Sequence, residues 1–174
     1  MLFVNIKDVI GICYYIVKPD KRITNAININ MTKQQLEQQC EQVIDCTLGD
    51  KNLQPDYIMI RKLFSAYHIF SDRLKNLIEI YDETLQFYAI FLCDNKNMES
   101  VAYWNCICPT LDCIVEGKYK CIDDVVLKNE NIEDRFLFRI VFEKQEYFVF
   151  HLVLVENILR KEYIGLWFDK IEVV

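Results

Sequence analysis

A chain of 174 residues with 52% hydrophobic and 13% aromatic side chains can bury a sizeable core. Only four glycines and three prolines leave little room for linkers or low-complexity stretches, and intrinsic disorder is excluded by the apolar content. The formal net charge of −6 argues against a nonspecific grip on nucleic acid, which needs clustered Lys and Arg, and suits a basic partner.

The opening stretch, MLFVNIKDVIGICYYIVKPD, lacks a signal-peptide layout, because Asp8 offsets Lys7 and no small-x-small site follows. Residues 12–17 are β-branched and aromatic and read as a strand, ended by Lys18-Pro19-Asp20. Thr24–Asn30 alternates polar and apolar residues, as a short strand does. Thr32 and Gln35 form a capping box, and Leu36, Cys40, Val43 and Ile44 share one face of the helix it would open, with Gly49 as a stop signal. Tyr57–Ile60 fits a strand, whereas Arg61–Tyr67 fits a helical turn or a connector. Ser71 caps a helix with Asp72 in its first turn and Leu74, Leu77, Ile78 and Tyr81 on its buried face. Leu85–Leu92 reads as a central strand, Asp94–Asn97 as a turn and Val101–Cys108 as the returning strand.

Pro109 breaks that strand, and residues 112–134 turn polar and acidic, with two short strands expected to flank Gly117. Phe136–Phe142 and Tyr147–Phe150 pair around Glu143–Glu146; Val153–Lys161 is helical, Gly165 follows it, and Leu166–Val173 is a half-buried strand. Phe70, Leu74, Ile78, Phe87, Tyr88 and Phe91 recur 80 positions later as Phe150, Leu154, Ile158, Trp167, Phe168 and Ile171. The expectation is one α+β domain over residues 1–174: a mainly antiparallel sheet with helices packed on it and two related helix–strand units. The longest strongly apolar runs fall far short of the roughly 20 residues that span a membrane, so no membrane partner is expected.

No catalytic residue stands out. His68 and His151 lie at matching places near the two helix starts, which suggests structural roles. Cys106, Cys108, Cys113 and Cys121 are a metal candidate, since four thiolates suit tetrahedral zinc; their spacing lacks a knuckle, and buried cysteines explain them better. No cofactor fingerprint is present, and eight cysteines without a signal peptide suit the reducing cytosol. The adjacent pair Asp123-Asp124 points to a solvated loop rather than to hydrolytic chemistry. Tyr14, Tyr103, Trp104 and Trp167 are the rings that could anchor a protein interface.

Several segments together resemble a bacterial family, the eleventh family of polymorphic-toxin immunity proteins, formerly a domain of unknown function. They are Tyr14–Asp20, His68–Lys75, Leu111–Ile114, Phe138–Ile140 and Gly165–Phe168, in order along most of the chain. The helix start at His151-Leu152-Val153 departs from that family in lacking a Ser–Glu cap. The resemblance implies a cytoplasmic protein, not an enzyme, that binds a cognate toxin protein and blocks it. The acidic segment, with Asp123, Asp124, Glu130, Glu133 and Asp134, would supply part of the binding face, and such a face could mimic nucleic acid for a basic nuclease toxin. Two other readings stay open at this point: a metal-binding or enzymatic protein built on the Cys106–Cys121 cluster, and a structural scaffold subunit. The sequence does not fix the oligomeric state.

Overall fold

The structure, a computed structural model, describes residues 13–23, 27–29, 39–61 and 66–174. Eleven strands and two helices run through these residues: β1 (Tyr14–Pro19), β2 (Ile27–Ile29), β3 (Gln42–Leu48), β4 (Tyr57–Arg61), β5 (Ala66–Ser71), α1 (Asp72–Tyr81), β6 (Gln86–Asp94), β7 (Glu99–Ile107), β8 (Val126–Leu127), β9 (Leu137–Phe142), β10 (Gln145–His151), α2 (Leu152–Arg160) and β11 (Leu166–Val173). Strand accounts for 48% and helix for 19%, so the α+β expectation is corrected to a β-rich fold of two sheets. Among the described residues no helix is long and apolar enough to cross a membrane.

The five-stranded sheet has the order β8-β11-β1-β10-β9, and the six-stranded sheet the order β2-β3-β6-β7-β5-β4. One of the two sheets forms a near-barrel; Ile27, Ile58 and Met59 of the six-stranded sheet line a small cavity of about 100 Å³ together with Pro19, Asp20 and Gly165. Ile44, Ile60, Ile69, Ile90, Leu92 and Tyr103 pack together as the core on one face of the six-stranded sheet. Its other face meets the five-stranded sheet through a second core, where Phe70, Phe148 and Phe150 pack with Leu74, Leu77 and Ile78 of α1 and Leu154, Val155 and Ile158 of α2. The helices therefore contribute to the core between two sheets rather than covering a single one. Each fully buried ring or branched chain there contributes about 1.5–3 kcal/mol relative to exposure.

The two units expected from the repeat are present, and the likeness runs deeper than the matched residues. Each unit holds five strands in one order: β3-β6-β7-β5-β4 in the first and β8-β11-β1-β10-β9 in the second. Every neighbouring pair agrees in direction, with the first pair parallel and the other three antiparallel. The central strand differs in origin: β7 follows β6 directly, whereas β1 comes from the other end of the described chain. The 80-residue offset holds through β4, β5 and α1, but the strand after the helix is offset by 81. Val43 faces Phe91 as Val126 faces Glu172, and Phe87 and Phe168 both pack on the shared core. The match of Phe87 with Trp167 is therefore one residue out of register, and in a strand one residue exchanges faces.

Three further expectations are corrected. The end of the expected helix, Val43 and Ile44, belongs to strand β3, where the two residues alternate between 62% and 1% exposure; Thr32, Gln35 and Leu36 lie outside the described residues. Of the stretch Arg61–Tyr67, expected as a helical turn or a connector, Arg61 ends strand β4 and Ala66 and Tyr67 open strand β5, which pairs on both sides at Ile69 and Phe70; residues 62–65 lie outside the described residues. No two strands flank Gly117; Ile114 makes a single bridge to Leu127. The turn between β9 and β10 is held by Glu143 and Lys144 at φ 49° and 66°, the mirror-image turn that suits the twist of a tight hairpin.

Candidate binding face

The acidic segment is a surface with a fixed underside. Ile122, Val125, Leu127 and Ile132 are buried against Ile16, Phe138, Val149 and Ile171, on the face of the five-stranded sheet turned away from the helices. The backbone is tied as well: Lys128 N–H donates to Cys113 O at 2.7 Å, Asn129 N–H to Val174 O at 2.8 Å, and Val174 N–H to Leu127 O at 2.9 Å. Asp123, Asp124, Glu130, Glu133 and Asp134 all stand exposed on this base. Glu133 and Asp134 take positive φ of 54° and 58°, a left-handed conformation that costs non-glycine residues energy and persists where the surroundings fix it.

The five acids are not equivalent. Asp123 pairs with Lys18, which also reaches Asp169 at 2.8 Å, and Glu133 pairs with Arg135 at 2.9 Å. Burial lowers the pKa of the Lys18 ammonium, but its bonds to Asp123 and Asp169 outweigh that and hold it above its ordinary value. Burial likewise raises Asp169, and the bonds from Lys18 and Trp167 more than reverse it. Lys18, Asp169 and the Asp20–Arg22 turn thus join the face, although Lys18-Pro19-Asp20 reads in sequence only as a strand stop. The signal that they belong together is cross-strand register, Lys18 opposite Trp167 and Ile16 opposite Asp169, which no local pattern reveals.

Of the four candidate anchor rings, Tyr14 and Tyr103 are buried at 1% exposure. Their hydroxyls donate to Arg135 O at 3.0 Å and Pro55 O at 2.7 Å. Burial, with Asp134 and Cys113 nearby, pushes Tyr14 up to about 12. Trp104 is half-buried, bonded to Asp72 Oδ1 at 3.2 Å under Lys75. Trp167 is 48% exposed, and its indole N–H donates to Asp169 Oδ1 at 2.8 Å.

The four candidate cysteines do not converge. Cys106 and Cys108 lie in the core between the sheets and Cys113 in the core under the acidic segment, while Cys121 is exposed. The hydrogen bond with Cys108, and then burial, pushes the Cys106 thiol well up; burial pushes Cys113 up to about 11. Among the described residues no group of three His, Cys, Asp or Glu could hold a metal ion. Cys121, being exposed, accordingly reacts with a thiol reagent in the native protein, while the buried Cys106, Cys108 and Cys113 react only on unfolding. Mass mapping after brief labelling checks this, and early labelling of Cys113 would contradict the packing.

Both histidines serve the fold. His68, 3% exposed, lies between the Tyr57 hydroxyl, 2.7 Å from Nδ1, and the Glu146 carbonyl, 3.1 Å from Nε2. A carbonyl can only accept, so Nε2 carries the proton and Nδ1 accepts from Tyr57. His151 is the cap of α2, its Nδ1 accepting from Val153 N–H at 3.3 Å. An open groove of about 500 Å³ runs past Asp56, Asp72, Arg73 and Tyr103. Asp56 and Arg73 there are engaged in tying the two units together. No protein-family model matches the chain, and no curated protein matches it.

Proposed function

We propose that this protein is a non-enzymatic immunity protein, which acts in the bacterial cytoplasm by binding a cognate toxin protein and blocking it through direct contact. The observation that carries this reading is the acidic segment. Its apolar side chains and backbone are locked to the sheet while five carboxylates and the ring of Trp167 face solvent. A rigid anionic surface speeds capture of a basic partner and loses little order on binding. The family resemblance points the same way, and the spread of the cysteines over two cores and the surface gives the metal-site alternative no support.

The test is capture with tagged protein from the native organism, followed by mass spectrometry and binding measurements on the partner. A single stoichiometric partner with a toxin-like domain is expected. Neutralising Asp124, Glu130, Glu133 and Asp134 together slows association and weakens binding by about 10- to 100-fold, with a reduced dependence on salt. Binding unchanged by this substitution removes the acidic face from the interface, and a protein that blocks no toxin removes the immunity reading.

A further inference from the structure

Trp167 departs from its neighbours on β11. Leu166 and Phe168 turn to the core between the sheets, while Trp167, on the opposite face, stays about half in solvent. Its orientation is fixed from behind. The indole N–H donates to Asp169 Oδ1 at 2.8 Å, and Lys18 holds the other oxygen of Asp169 at 2.8 Å. Over the ring lies the guanidinium of Arg22, its Cζ 5.5 Å from the centroid, within the roughly 6 Å reach of a cation–π contact. That guanidinium is forked onto the Asp20 carboxylate, Nε at 2.9 Å from Oδ1 and Nη2 at 2.7 Å from Oδ2. The Arg22 side chain is itself 76% exposed, so little besides these two contacts keeps it in place.

We propose that the ring of Trp167 and the carboxylate of Asp20 form a seat for an arginine side chain of the protein partner, occupied by Arg22 until the partner displaces it. This deepens the reading above and rests on it for the partner being a protein with a basic surface. The chemistry selects arginine over lysine: a planar guanidinium can lie over the indole and engage both carboxylate oxygens at once, as Arg22 does, whereas an ammonium cannot do both. Asp123 and Asp169 keep the surroundings anionic without filling the seat, because both are turned to Lys18. Arg22 is then an internal competitor, and its removal strengthens binding rather than weakening it.

The test uses a defined probe, a short capped Gly-Arg-Gly-Arg-Gly peptide and its lysine counterpart, titrated against the whole protein by NMR at the indole N–H signals. Trp167→Phe identifies the Trp167 signal, and the Trp104 signal serves as the control. The arginine peptide shifts Trp167 and leaves Trp104 in place, and the lysine peptide needs higher concentration for the same shift. Arg22→Ala lowers the dissociation constant of the arginine peptide by about two- to fivefold, the loss of one exposed cation–π competitor. Equal response to both peptides, or weaker binding in Arg22→Ala, overturns the seat. The assay needs no toxin, so the two readings fail separately. A peptide effect with no toxin partner leaves the seat and removes the immunity reading; a captured toxin whose affinity ignores Arg22→Ala and Trp167→Ala does the reverse.

Discussion

Gly165→Ala lowers stability by about 3–5 kcal/mol, the sum of a left-handed residue and an overfilled contact. Gly165 has φ +88°, and a Cβ there would stand 2.4 Å from Pro55 Cβ and 3.1 Å from the Tyr57 carbonyl oxygen. Neither neighbour is a flexible chain end: one is a proline ring and the other is backbone. The same loop is bonded in place on both sides, Asp20 N–H to Gly165 O at 3.0 Å and Asp56 N–H to Ile164 O at 2.7 Å, so relief of the clash breaks the joint between the two units. Urea unfolding followed by circular dichroism measures the effect. Gly117→Ala is the control: its nearest contact is the tip of the Tyr119 ring at 3.3 Å, which can move, so the change stays within about 1 kcal/mol. Equal midpoints for the two variants would show that the 55–57 and 162–165 segments do not press together as described.

Asp56→Ala has the second large effect, about 3 kcal/mol, as expected when one member of a buried charged network is removed. Asp56 is 5% exposed. Its Oδ1 accepts from Ser71 Oγ at 2.5 Å and is ion-paired with Arg73 Nε at 3.1 Å, and its Oδ2 accepts from Ile164 N–H at 2.8 Å. Ser71 Oγ in turn accepts from Leu74 N–H at 3.2 Å as the cap of α1. One carboxylate therefore orients the helix cap of the first unit and holds the loop before the last strand of the second. Arg73 extends the tie by stacking on Tyr163, 4.1 Å from the ring centroid, and by donating to Lys161 O and Glu162 O. Ser71→Ala alone costs about 1 kcal/mol, and the double variant costs less than the two singles together, because the cap is already misaligned once Asp56 is gone. Strict additivity in a double-mutant cycle would sink this account of a relay.

Much of this fold could be read from local pattern. The helix and strand over 72–94 and the strand–helix–strand run over 145–173 announce themselves through Ser71, Gly165 and the repeat of Phe70, Leu74 and Ile78. The errors have a common cause, which is that partners distant in sequence decide a segment whose own pattern is ambiguous. Val43 and Ile44 satisfy a helical spacing with Leu36 and Cys40, yet they alternate as a strand because Phe91 and Leu92 of β6 lie beside them. Ala66–Tyr67 is too short a run to choose its own state, and pairing with Ile60 and Arg61 of β4 makes it the start of a strand. The fold class slipped for the same reason. The weight given to helices came from periodicity, whereas short strands such as β3, β5 and β8 are visible only once their neighbours are placed. At the candidate face the acids were legible by composition. Which of four rings stays exposed was not, because Tyr14 and Tyr103 are buried through hydroxyl bonds to backbone carbonyls far along the chain.

The borrowed central strand gives the two units different folding histories. All five strands of the first unit lie within residues 42–107, and its hairpins β4–β5 and β6–β7 can zip from sequence neighbours. The second unit must bring Tyr14 against both His151 and Ile171, a closure over most of the chain, and such long-range pairing is slow. On the ribosome the apolar strand Tyr14–Pro19 waits until residue 173 has emerged, with β10 and β11 offering it a slot that any other extended strand could enter. Vectorial synthesis thus leaves a half-finished sheet as the last intermediate, and a stray strand, from this chain or another, is the hazard that intermediate faces.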